Sequence, residues 1–188
     1  MALRTWATAA AAAALAASLI GAGGTASAAP GTASARPDFA AQAASAGLSG
    51  SRAEELQNKV DDYLARLGGR QVAANKIEFR GGTVVVALPG EQQARDLGTA
   101  GAKFADCPYE NFCMFRGTYY TGDQLNLYYC RDQGLTNWTG NGSWWNRQTP
   151  GTQARLLGRN HDVVTVTAGA ESWQAVYTWD PIWYVRPC

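Results

Sequence analysis

The sequence predicts a mainly β protein stapled by disulfides and preceded by a small α-β-β extension, and three observations carry that expectation. Residues 107–188 hold fifteen aromatic side chains and no lysine. Turn-forming pairs and triplets punctuate the same stretch: Arg116-Gly117, Thr121-Gly122-Asp123, Asn141-Gly142, Thr149-Pro150-Gly151, Ala168-Gly169 and Asp180-Pro181. The runs between them (112–115, 124–129, 163–167 and 173–179) are rich in aromatic and β-branched residues. Short strands at this spacing imply a sandwich or barrel. All four cysteines of the chain, Cys107, Cys113, Cys130 and Cys188, also fall here.

The elements follow in order along the chain. Arg4, an apolar Ala- and Leu-rich run over 7–20, and Ala26-Ser27-Ala28 have the order of a secretory signal cleaved near residue 28. The run is too short and Ala-rich to serve as a membrane anchor. Residues 29–50, rich in Ala, Ser, Gly and Pro, read as a flexible lead-in. Ser51-Arg52-Ala53-Glu54 has the form of a capping box, and Leu56, Val60, Leu64 and Leu67 then recur on one helical face up to Gly68-Gly69. Two strand-like runs, 72–80 and 83–88, flank Gly81-Gly82 and predict a hairpin, which completes an α-β-β extension over 51–89. Residues 90–106 are polar and read as a linker to the β domain at 107–188.

Composition narrows the function. Sixteen Lys and Arg oppose fifteen Asp and Glu, and loss of Arg4 with the signal leaves fifteen of each. A neutral chain with dispersed charge is poorly suited to nucleic acid or an anionic membrane. Export to an oxidising compartment makes four cysteines two disulfides. Three connectivities are open, and the spacing favours Cys107 with Cys113, which closes a short local loop, and Cys130 with Cys188. One histidine in the whole chain, with no CxxC pair, leaves no metal site to expect. His161-Asp162 has no placed nucleophile, and no spacing singles out two of the carboxylates Glu110, Asp123, Asp132, Glu171 and Asp180 as a catalytic pair. The chain is therefore expected to be no enzyme and to need no cofactor.

Phe115-Arg116-Gly117-Thr118-Tyr119-Tyr120-Thr121-Gly122 resembles the Greek-key signature of the βγ-crystallins: an aromatic (Phe115), a second aromatic (Tyr120), and a glycine (Gly122). The glycine takes a backbone conformation that a side chain opposes. The wider stretch, from Cys107-Pro108 through Phe112-Cys113-Met114-Phe115 to Tyr129-Cys130, resembles the secreted actinobacterial peptidase inhibitors typified by the Streptomyces metalloproteinase inhibitor. That resemblance implies a βγ-crystallin-like Greek-key sandwich that inhibits an extracellular peptidase, plausibly a metallopeptidase, by docking a rigid loop in its cleft. A crystallin-type calcium site would fall on Thr139-Gly140-Asn141-Gly142-Ser143-Trp144, which lacks most of the oxygen ligands. A carbohydrate- or cell-wall-binding module, or a killer-toxin-like antimicrobial protein, is the alternative, favoured by the aromatic surplus.

The surface expected to meet a partner is the loop over 141–148. Asn141-Gly142 predicts a tight exposed turn, and Trp144-Trp145-Asn146 leaves it at once. Adjacent strand residues face opposite sides, so one tryptophan is expected in the core and the other at the surface, where it can stack on a sugar or fill a protein pocket. The expected product is a secreted, extracellular monomer whose partner is a peptidase or a polysaccharide.

Overall fold

The computed structural model describes residues 37–188. The export signal expected at 1–28 lies outside the described residues, as does the first part of the lead-in. Most of its described part is helical: α1 spans Pro37–Ser45. Proline is suited to a first helical turn, and the alanines that follow have high helix propensity. Ala43 is buried, and the Gln42 side chain donates to Leu97 O at 2.8 Å and accepts from Ala74 N, which ties the helix down.

Helix α2 spans Gly50–Leu67 and buries Leu56, Val60 and Tyr63, with Leu64 and Leu67 partly covered. The capping box does not form. The helix starts before Ser51, with Ser49 as its cap residue, so Ser51 already lies within the first turn. Gly68 closes the helix at a positive φ of 69°, which glycine adopts without strain, and its amide bonds Leu64 O.

The following segment holds three strands, where the sequence suggested two: β1 Arg70–Ala73, β2 Lys76–Phe79 and β3 Gly82–Val85. The extra turn, Ala74-Asn75, carries no glycine to announce it. Asn75 makes it instead: its fully buried amide donates to Val86 O and Arg95 O and accepts from Leu97 N.

Strands β4 Asn111–Phe115, β5 Gln124–Leu127, β6 Gln133–Gly134 and β7 Asn141–Arg147 come next. They are followed by β8 Arg155–Leu157, β9 Val163–Val166, β10 Ser172–Thr178 and β11 Tyr184–Arg186. All pairings between these strands are antiparallel, and a lone parallel bridge joins Gln93 to Gly122. One sheet runs β1-β2-β3-β5-β4-β7-β10, and the other runs β6-β11-β8-β9. Each half of the strand-rich segment sends its third strand to the other half's sheet: β6 leaves β4, β5 and β7, and β10 leaves β8, β9 and β11.

The extension is no separate lobe. Strand β3 pairs directly with β5, Gly82 opposite Leu127 through Val85 opposite Gln124. Leu56, Val60, Ile77 and Val84 share one core with Phe112, Met114, Leu125, Trp144, Leu156, Trp179 and Val185. Nor is 90–106 a free linker. Ala94 and Ala105 are buried, Ala105 N bonds Ala94 O, and Lys76 reaches Asp96 at 2.7 Å, so the segment is laid against the sheet. Both expected disulfides are present, Cys107–Cys113 and Cys130–Cys188.

Candidate functional site

The residues expected to carry the partner contact do not form a loop. Asn141, Trp144, Trp145 and Asn146 all lie on β7, paired on one side with β4 and on the other with the edge strand β10 of the larger sheet. Only Asn141 is exposed, at the strand's first position. Trp144 is buried, with its ring 5.7 Å from Phe112. Asn146 is fully buried and donates to Thr152 O at 2.7 Å and Ala168 O at 3.1 Å, an internal tie between loops.

A strand stands in place of the expected turn for a physical reason at Gly142. It is small because Trp179 lies on it: a Cβ there would stand 2.2 Å from the Trp179 indole nitrogen and 2.3 Å from Phe115 O. A glycine in a strand interior marks such a close approach as readily as a turn.

Trp145 takes the opposite face, as strand alternation requires. It is half-buried against Cys107, Cys113 and Phe115, and its indole N–H donates to Glu171 Oε2 at 3.3 Å. Tyr120 lies 6.1 Å away, and the Arg147 guanidinium stands 5.8 Å from the ring. Trp173, directly opposite Trp145 on β10, is 64% exposed. The three aromatic–glycine positions act locally. Phe115 and Tyr120 meet edge to face at 5.4 Å. Gly122 has φ 77° and packs on Arg116, and the Ser143 hydroxyl accepts from Tyr120 N and donates to Gly117 O.

A loop of the expected kind exists elsewhere, between Cys107 and Cys113. Pro108, Tyr109 and Glu110 are exposed at its tip, Tyr109 at 55%. The disulfide closes its base across a Cα separation of 5.8 Å. Arg147 Nη1 donates to Cys107 O and Glu110 N donates to Arg147 O, both at 2.8 Å, so β7 holds the loop from both ends. Asn111 braces it from inside, with Nδ2 donating to Tyr109 O at 2.9 Å and its amide to Pro108 O at 3.2 Å. The close spacing of Cys107 and Cys113 is the sequence signal for this loop.

Two polar clusters are structural in form. His161 pairs through Nδ1 with Asp132 at 2.7 Å, not with Asp162, and stacks on Tyr184 at 3.9 Å. Arg186 takes the other Asp132 oxygen at 2.6 Å. No serine, threonine or cysteine takes part in those contacts. Asp123 is buried and accepts from Lys59 at 3.0 Å, Tyr63 at 2.9 Å and Ala87 N at 3.0 Å, joining α2 to the β5 turn. Burial, and then the Asp123 carboxylate, push the Tyr63 hydroxyl far above the ordinary tyrosine range. Among the described residues no three His, Cys, Asp or Glu side chains converge as metal ligands, and no helix is long and apolar enough to cross a membrane. Compared with known proteins, the chain matches no family model, no curated protein and no solved structure.

Proposed function

We propose that this chain is a secreted inhibitor of an extracellular peptidase, and that the Cys107–Cys113 loop is the element it presents. The observation that carries the reading is the loop's combination of exposure and bracing. Its tip offers Tyr109 and Glu110 to a partner, while one disulfide and four hydrogen bonds fix its backbone. A loop already held in its bound shape loses little conformational entropy on docking, which is what a tight inhibitor requires. Glu110, at φ 66°, turns the chain sharply beside Tyr109. The tip is thus a wedge, an aromatic anchor with an adjacent carboxylate, rather than an extended substrate mimic. A carboxylate at a rigid tip suits a catalytic zinc with an open position, which makes metallopeptidases the first targets to test.

The fold supports the same reading. The third-strand exchange between the sheets, and the Phe115–Tyr120–Gly122 turn, are what a βγ-crystallin-like double Greek key would contain. Secretion rests on the leader pattern and on two disulfides, which persist in oxidising compartments.

The test is an inhibition panel of metallo-, serine and cysteine peptidases run on the mature protein. Tyr109→Ala is expected to weaken inhibition by about 30-fold or more, the scale of a 2 kcal/mol anchor, with the melting temperature unchanged. Absence of inhibition across the panel would sink the reading. A second reading, polysaccharide binding, has one observation in its favour: Trp173 is exposed beside Glu171 and Arg147, an aromatic face flanked by hydrogen-bonding groups. Retention on insoluble polysaccharide that Trp173→Ala abolishes would establish it instead.

A further inference from the structure

Strand alternation sends Leu125 and Leu127 of β5 into the core and turns Gln124 and Asn126 to the other face of the seven-stranded sheet. On that face the two amides, with Thr83 opposite Asn126 on β3, line a cleft of about 350 Å³. Asn111, Tyr128 and part of the 94–106 segment complete the lining, and Tyr128 is 53% exposed.

A sheet face under a covering segment ordinarily carries apolar side chains, because polar groups lose water there. This one keeps polar groups whose bonding capacity is only partly used. Gln124 Nε2 donates to Asp106 O and to Asn126 Oδ1, both at 2.7 Å, and Asn126 Nδ2 donates to Thr83 Oγ1 at 3.1 Å. Asn111 Nδ2 is taken by Tyr109 O. Among the described residues nothing donates to Gln124 Oε1 or Asn111 Oδ1, and neither the second Asn126 amide proton nor the Thr83 hydroxyl proton has an acceptor. Gln124 is 2% exposed and Asn111 8%. Their oxygens are nonetheless not sealed: among the described residues, the unpartnered side-chain polar atoms shut away from solvent are the Trp138 and Trp144 indole nitrogens. The cleft is the opening that both residues line.

We infer that this cleft binds a short neutral saccharide. The ligand class follows from what is unspent. Two acceptors and two donors, all uncharged, match hydroxyl groups, each of which donates and accepts. The charged lining residues are paired off, Lys76 with Asp96 at 2.7 Å, Arg95 with Glu91 at 2.9 Å and Asp106 with Arg147 at 3.8 Å. Lys103 alone makes no site for a phosphate or a sugar acid. A peptide strand finds no ladder here, since β3 and β5 are each paired on both sides. The Tyr128 ring offers an apolar face to the C–H side of a sugar. The volume is at the lower end for small-ligand sites, which suits a mono- or disaccharide.

The experiment is an NMR titration of the full mature chain with cellobiose, chitobiose, maltose and xylobiose, each to about 10 mM, following the side-chain amide signals of Gln124, Asn126 and Asn111. At least one sugar is expected to shift them saturably, with a Kd of about 1 mM or tighter. Tyr128→Ala, at an exposed position, should weaken that binding by about 10-fold or more with the melting temperature kept. Thr83→Val, which exchanges only the hydroxyl for a methyl, should weaken it by a similar factor. Tyr109→Ala and Trp173→Ala should leave it unchanged, which separates the cleft from the proposed inhibitory loop and from the exposed tryptophan. Should a variant fail to fold, the wild-type signals decide: saturable shifts at the three amides support the cleft, and shifts only elsewhere overturn it. Absence of a saturable shift with every probe overturns the inference, as does binding that both Tyr128→Ala and Thr83→Val retain or that Trp173→Ala abolishes.

Discussion

Asp132 shows how one side chain sets a pH dependence. Its hydrogen bond from Arg186, with a lesser one from His161, holds the carboxyl below its ordinary value of 3.8, against the opposing effect of burial. A carboxyl depressed in the fold stabilises it above the unfolded value, and that stabilisation is lost as pH falls through the lower folded value. Asp132→Asn should therefore be less stable than wild type by a constant amount above about pH 5, with the gap closing towards about pH 2. Urea midpoints measured across that range check it; a gap that persists undiminished in acid would assign the effect to hydrogen-bond geometry and not to charge. Asp123 makes a different use of a carboxylate. Three donors converge on it in a buried place, so its loss would strand the Tyr63 hydroxyl and the Ala87 amide.

At the scale of elements, β7 depends on a single small residue. Gly142→Ala places a methyl within 2.3 Å of both the Trp179 indole and Phe115 O, in a buried position. It should cost about 3 kcal/mol by overpacking, read as a lower denaturation midpoint with the m-value unchanged. A neutral result would mean that Trp179 can move aside. Much of the architecture was legible in the sequence because it is local. The α2 stripe of Leu56 and Val60 has helical spacing, the runs at 112–115 and 163–167 alternate or branch as strands do, and the paired cysteines 107 and 113 are close in the chain. What escaped depends on distant partners. The turn at Ala74-Asn75 is built by a side chain that bonds residues 86–97, and α1 is held by Gln42 reaching across to residues 74 and 97. The candidate site escaped for the same reason. Nothing in Asn141-Gly142 announces that Trp179, far along the chain, will lie on it, and nothing in Pro108-Tyr109-Glu110 shows that Arg147 will brace it.

At the scale of the whole molecule, one core crosses the boundary that composition suggested between 51–89 and 107–188. Both disulfides lie within 107–188, so the helices and first three strands are held to the rest by strand pairing, burial and the bonds of Lys59 and Tyr63 to Asp123, with no cross-link between them. Leu56→Ala and Leu125→Ala, on opposite sides of that boundary, should each cost about 3 kcal/mol and lower one and the same calorimetric transition. Two transitions, with only the earlier one sensitive to Leu56, would mean that the first part folds apart. The strand order also limits how far the molecule can build on itself. The sheets' far edges are β1 and β6. Strand β1 carries the Arg70–Glu78 pair and exchanges amide bonds with α2 through Gln57 and Gln71, and β6 is only two residues long. Short or charged edges do not template growth. Among the described residues, growth of either sheet is therefore barred at one end, so the molecule cannot add strands on both sides of a sheet and run on as a fibre.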